Sequence, residues 1–183
     1  VLIDKTMSDD LVFSILNQNV EQEFNATVGF DFYNEPTLDP RLFKFLDYAL
    51  RTRCNTEIVT NGDTIKKDKD YAIEFFKRVG FTNISLYDYK DMTGRKKLMS
   101  WWVDYLDSLK VDRSRYRLVG EYFNFGNRAG TVDRRGKYMG GAHLDSKVPL
   151  SANCRKIHSK LNIRYDGEVP ICCEDSLVQH SLG

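Results

Sequence analysis

The sequence predicts an α/β domain built on a mostly parallel sheet. Three observations predict it. Stretches rich in β-branched and aromatic residues alternate with stretches whose apolar residues recur at helical spacing. Gly, Pro, Asn or Asp marks each change of period. The alternation runs from residue 8 to residue 122, the strand–helix–strand order that builds a parallel sheet.

Ser8-Asp9-Asp10 reads as a helix start, a capping hydroxyl followed by acids at the positive end of the dipole, and Leu11, Val12, Ile15 and Leu16 then share one face. Residues 26–33 read as a strand stopped at Asn34-Glu35-Pro36, since proline cannot donate to a ladder. Asp39-Pro40 reads as N-cap and first position of the next helix, whose stripe is Leu42, Phe43, Phe45, Leu46, Ala49 and Leu50. Residues 56–60 form a short strand ending at Asn61-Gly62. Asp68 caps a third helix with the stripe Tyr71, Ala72, Phe75, Phe76 and Val79, and Gly80 is expected as its left-handed C-terminal residue. Residues 83–87 are a further strand. Leu98, Trp101, Trp102, Tyr105, Leu106 and Leu109 mark a fourth helix, and residues 116–122 the last strand of the core.

The texture then changes. Gly126, Gly130, Gly136, Gly140 and Gly141 crowd a basic stretch with Arg128, Arg134, Arg135 and Lys137, which reads as a linker with a solvated basic face. Beyond it Leu161, Ile163 and Tyr165 alternate with polar residues, Asp166-Gly167 supplies a tight turn, and Val169 and Ile171 resume the alternation: a β-hairpin. With Asp166 and Gly167 as the two turn residues, Leu161 would face Cys172 and Cys173 would point the other way. Three parts are thus expected: an α/β domain over 1–125, a linker over 126–153 and a cysteine-bearing extension over 154–183.

Composition sets the class. Hydrophobic residues make up 42% and charged residues 29%, and the formal net charge is +1. That is a globular balance, and it gives no support to nucleic-acid binding driven by bulk positive charge. No apolar run is long enough to span a bilayer and no signal peptide opens the chain, so a cytoplasmic protein without membrane contact is expected.

Three constellations could carry chemistry. The first is Asn34-Glu35-Pro36 at a strand end, where parallel α/β folds bind ligands. A carboxylate fixed there can receive an ammonium group; on spacing alone, capping of the following helix is the leading reading. The second is Thr60-Asn61-Gly62, either a routine turn or a place where a ligand approaches the backbone closely. The third is Cys154, Cys172 and Cys173. Twelve residues separate Cys154 from Gly167 and four separate Gly167 from Cys172, so a hairpin could return one thiolate toward another. Iron–sulfur or zinc ligation and unligated thiols all remain open, with ligation favoured by the turn between the cysteines. Cys54, alone, reads as a small half-buried residue. His143, His158 and His180 read as surface residues, although His158 near Cys154 would allow a mixed Cys/His site.

Taken in order, these segments resemble the radical S-adenosylmethionine (AdoMet) enzymes. A strand ending Asn34-Glu35-Pro36 is similar to that family's Gly-Gly-Glu-Pro motif, and Thr60-Asn61-Gly62 to its Thr-Asn-Gly motif; a strand containing Ser85 follows. Cys154-x12-Gly167-x4-Cys172 resembles the opening of the SPASM extension, and Asn127-Arg128-Ala129-Gly130 the Asn-x-Ala-Gly that often precedes it. The resemblance implies a partial β/α barrel followed by a cysteine-bearing hairpin. It implies AdoMet and 4Fe–4S clusters as cofactors, and reductive cleavage of AdoMet to modify a peptide or similar substrate. Glu35 would lie near the amino group of AdoMet, with Asn34 and Pro36 shaping that edge and Thr60, Asn61 and Ser85 lining the pocket. Cys154 and Cys172, with Cys173 beside them, would begin an auxiliary cluster site.

The sequence also departs from the family. The family's Cys-x3-Cys-x2-Cys loop is absent, Tyr33 and Asn34 stand where glycines are usual, the barrel is short of strands, and the later SPASM cysteines are missing. The expectation is a piece of a longer enzyme, inactive by itself. A non-catalytic ligand- or partner-binding relative and a zinc-stabilised module are the alternatives. A partial barrel leaves sheet edges open, so self-association is expected.

Overall fold

A computed structural model describes residues 6–31, 34–86, 92–119, 161–170 and 181–182. The chain divides into two compact units, one of Asp9–Glu121 and the other of Val1–Ser8 with Tyr122–Gly183.

The larger unit alternates helix and strand. Helix α1 spans Asp9–Glu21, strand β1 Val28–Gly29, a single 3-10 turn Pro36–Leu38, helix α2 Leu42–Arg51 and strand β2 Thr56–Thr60. Helices α3 (Asp63–Lys67) and α4 (Lys69–Arg78) precede strand β3 (Phe81–Ser85). Helix α5 (Met92–Ser108) leads through a 3-10 turn at Arg113–Arg115 to strand β4 (Tyr116–Val119). The four strands form one sheet in the order β1-β2-β3-β4, all parallel. A doubly wound sheet reverses direction at a switch point; this sheet adds each strand beside the last, as a sector of a β/α barrel does. The expected parallel α/β architecture is found.

The core covers one face of the sheet. Ile58 and Ile84 meet Leu46, Ile65, Ala72, Phe75, Phe76, Trp102 and Leu106, all buried. Strand alternation puts Glu57, Val59, Phe81, Asn83 and Arg117 on the opposite face. There the Asn83 side-chain amide donates to the carboxylate of Glu57 across the β2–β3 pair.

Local chemistry explains where the elements differ from expectation. Among the described residues, the strand expected over 26–33 pairs at Val28–Gly29, and beyond it the Asp31 carboxylate takes the Val59 N–H at 3.1 Å in place of a further ladder partner. Asp39 does not cap α2 directly. Its carboxylate accepts from the Arg41 N–H at 2.9 Å, its carbonyl from Leu42, and Pro40 and Arg41 form a turn before the helix. Asp68 caps α4 as expected, accepting from the Tyr71 N–H at 2.9 Å. Gly80 does not take the left-handed conformation. Glycine is required there because a Cβ would lie 2.7 Å from the Thr56 carbonyl oxygen, where the chain enters β3 against β2. That close entry starts β3 at Phe81, two residues before the expected Asn83.

Ion pairs tie α1 to the start of α2, and one buried amide ties it to the segments leading into β1 and β2. Arg41 bridges Asp9 and Asp39, each at 2.8 Å, and Lys44 also reaches Asp9. Asn19, buried, exchanges bonds with the backbone of Ala26 and donates to the Cys54 sulfur at 3.1 Å, which fixes the approach to β1. Cys54, expected to be half-buried, is buried, and burial pushes its thiol pKa up.

In the smaller unit the turn is wider than the sequence suggested. Arg164 N–H donates to the Glu168 carbonyl and Gly167 N–H to the Arg164 carbonyl, with Gly167 at φ 90°. The loop is therefore Tyr165-Asp166-Gly167, three residues with glycine in the left-handed position, so Arg164 faces Glu168 and the register moves by one. Within the described residues the backbone pairing beyond this turn is between the 169–170 segment and the 181–182 segment. The expected partner strand through Ile171 and Cys172 lies outside the described residues, as do Cys154 and Cys173.

Candidate functional site

The carboxyl ends of β1 and β2 meet at Glu35. The chain leaves β1, and Pro36 fixes its direction into the 3-10 turn, whose cap is Glu35 itself. Oε1 of Glu35 accepts three bonds: from the Thr37 N–H at 3.2 Å, the Thr37 hydroxyl at 2.7 Å and the Thr60 hydroxyl at 2.6 Å. Oε2 accepts the Asn61 N–H at 2.8 Å. The bonds to Oε1 are partly buried and the bond to Oε2 lies at the surface. Glu35 thus caps the following turn, as spacing suggested, and also joins that turn to the end of β2.

The β2 end is set with the same economy of groups. Thr60 gives its proton to Glu35 and accepts the Gly62 N–H at 3.0 Å. Asn61 Oδ1 accepts the Asp63 N–H at 2.8 Å and starts α3. Gly62 sits at φ 77°, and a Cβ there would lie 2.6 and 2.7 Å from two ring atoms of Trp102. No side chain fits either the conformation or the space. Behind the site Tyr71 donates its hydroxyl to the Thr37 carbonyl at 3.3 Å. Burial, then the charge of Glu35, pushes the Tyr71 pKa up to about 12, so the phenol stays protonated and keeps that bond.

Of the residues singled out in the sequence, the structure brings Glu35, Pro36, Thr60 and Asn61 together. Asn34 adjoins them, exposed, donating its amide to the Phe30 carbonyl at 3.1 Å. Ser85 ends β3 two strands from β1, buried and registered with Val119. Thr37 and Thr64 were missed. Their hydroxyls lie 3.1 Å apart, and Thr37 is buried. For Thr37 a signal was present in the spacing: a hydroxyl residue two positions after an acid is a local capping pattern.

Two solved structures share this architecture. BtrN in complex with AdoMet and 2-DOIA superposes with a TM-score of 0.68 and 18% identity, covering 97% of this chain and 65% of that one. Selenomethionine BtrN in an open conformation gives 0.61 and 15%, covering 97% and 62%. What is shared is the fold. It is the α/β fold that the radical AdoMet resemblance implied. The chain spans about two thirds of the length of BtrN, just under that share in both structures. No family model matches the sequence, and no curated protein matches it.

Chemically, the strand ends offer an anchored carboxylate and two hydroxyl-bearing neighbours. Such a set suits the ammonium end of an amino-acid-like ligand. It does not suit a cluster. Among the described residues no group of three or more His, Cys, Asp or Glu could hold a metal ion, and Cys54 is buried against Asn19. No helix among the described residues is long and apolar enough to cross a membrane.

Proposed function

We propose that this chain binds AdoMet at the carboxyl end of β1 and β2, with Glu35 receiving the ammonium of the methionine part. The observation that carries the reading is the Glu35 carboxylate. It stands at the strand ends, is held by Thr60 and Asn61 of the next strand, and presents Oε2 at the surface with one internal donor among the described residues. A carboxylate oxygen can accept about two hydrogen bonds, so Oε2, with one donor, keeps a place for another. The likeness of fold to BtrN in complex with AdoMet supports the ligand. Asn34 and Pro36 would border the amino-acid end, and Ser85 would face the ligand from β3.

In the radical AdoMet family the bound nucleotide, when reduced by one electron, is the source of the radical that acts on substrate. The residues here bind and orient it. We read the chain as part of a longer radical AdoMet protein acting on a peptide or similar substrate, with Cys154, Cys172 and Cys173 opening a metal-bearing extension. A second reading is a binder that does not cleave its ligand, a protein whose full sequence has no Cys-x3-Cys-x2-Cys arrangement. The coding sequence upstream of Val1 decides between them.

Calorimetric titration tests the proposal. AdoMet is expected to bind the chain, and Glu35→Gln to weaken binding by about tenfold or more, since a charge-assisted bond is worth about 1.5–3 kcal/mol. Equal affinity in the two proteins would overturn the assignment of Glu35.

A further inference from the structure

We infer that Thr37 is a positioning residue for ligand binding, holding the Glu35 carboxylate through its hydroxyl so that one oxygen is committed within the fold and the other stays turned toward the ligand's ammonium group. The inference rests on the reading of Glu35 as the ammonium receptor and goes beyond it to a residue that touches no ligand.

Protons and lone pairs decide the direction of each bond. A threonine hydroxyl has one proton. The Thr37 hydroxyl stands 2.7 Å from Glu35 Oε1, shorter than its 3.1 Å separation from the Thr64 hydroxyl. An ionised carboxylate is the stronger acceptor, so the Thr37 proton goes to Glu35 and Thr64 donates to Thr37. The same order holds on the other side, where Thr60 donates to Oε1 and takes the Gly62 N–H behind it. Each hydroxyl is therefore aimed by a donor at its back, and a donor chain of this kind strengthens its terminal bond. With the Thr37 N–H added, Oε1 has three donors and is saturated. Oε2 has one among the described residues, from Asn61, at the surface.

Thr37 is itself fixed. It is buried, follows Pro36, and has its carbonyl held by the Tyr71 hydroxyl. Its own position does not depend on ligand. Losing the hydroxyl would remove one of the three donors that hold the committed oxygen, and the carboxylate could then turn about its last torsion, which is soft, so that neither oxygen is held toward the ligand.

The test compares two ligands. AdoMet carries the ammonium group; 5′-methylthioadenosine carries the same nucleoside without it. By titration calorimetry, Thr37→Val is expected to weaken AdoMet about tenfold, the low end for one charge-assisted bond. It should leave methylthioadenosine within about twofold, and Thr37→Ser should restore AdoMet binding to within about twofold of the parent, because it returns the donor. If valine disturbs the turn by circular dichroism, Thr37→Ala serves as the hydroxyl-free variant. Equal losses for both ligands would make Thr37 merely structural and overturn the inference, as would unchanged AdoMet affinity. Failure of the parent chain to bind AdoMet at all would instead overturn the reading of Glu35, and this inference with it.

Discussion

Replacing Gly62 with alanine tests the packing that holds the strand end in place. The added Cβ meets two costs. At φ 77° an L-residue is in the left-handed region, which costs about 1–2 kcal/mol. The Cβ would also lie 2.6 and 2.7 Å from Trp102 Cζ2 and Cη2 and 3.1 Å from Ile84 Cγ2. Trp102 is 2% exposed and Ile84 wholly buried, so neither can swing aside, and overpacking of this kind costs about 1–3 kcal/mol. The sum is about 2–5 kcal/mol, a large share of the stability of a small domain. Urea unfolding followed by far-UV circular dichroism reads it. The two costs separate in a double-mutant cycle. In a Trp102→Phe background the overlapping ring atoms are gone while the Ile84 contact stays, and Gly62→Ala should cost mainly the backbone part, about 1–2 kcal/mol. A cost below about 0.5 kcal/mol in the parent, or the same cost in both backgrounds, would mean that the ring does not set the need for glycine.

Two further outcomes are expected. The Thr82 hydroxyl is wholly buried and has no hydrogen-bond partner among the described residues, so Thr82→Val should stabilise the chain by about 1 kcal/mol in the same urea assay; a loss of stability would mean the hydroxyl is satisfied. Acid should destabilise early: hydrogen bonds from Arg78, then Lys77, hold the Glu74 pKa down to about 2, a bond from Lys44 lowers Asp9, and bonds from Arg41 lower Asp39. Carboxylates lowered in the folded state contribute above their ordinary values of 3.8 and 4.5, and that contribution is lost as pH falls through the folded values. The Tm should therefore drop between about pH 4.5 and pH 2, and Glu74→Gln should flatten part of that fall; a curve unchanged by Glu74→Gln would show the exposed pairs contribute nothing.

The parts of the fold written in local chemistry were legible in the sequence. Strand Thr56–Thr60 alternates and ends at Asn61-Gly62, and its bounds match the expected ones because both signals are local. Asp68 likewise caps α4 through its own near neighbours. The misses arise where a distant group decides. The Asp31 carboxylate competes for a β2 amide and shortens β1, which no pattern within residues 26–33 reveals. Gly80 is required by the Thr56 carbonyl, 24 positions earlier in the chain, and not by its own backbone angles. Helix α3, only Asp63–Lys67, is too short to show a period.

The candidate site divides the same way. Glu35, Thr60 and Asn61 were legible because order along the chain, at strand ends, is what a parallel sheet converts into adjacency. Thr37 carried only the local capping pattern of a hydroxyl two positions after an acid, Thr64 in its short helix carried none, and only the fold sets their hydroxyls 3.1 Å apart. Gly62 was read as a turn residue, and its second role, making room for Trp102, depends on α5 forty residues later.

An AdoMet titration followed by amide chemical shifts of the labelled chain tests the proposed binding site at the level of single residues. The largest changes are expected on Asn61, whose N–H is bound to Glu35 Oε2, and on its neighbours Gly62 and Thr37. Saturable shifts centred on another part of the domain, with Asn61 unmoved, would place the ligand elsewhere and remove Glu35 from its recognition.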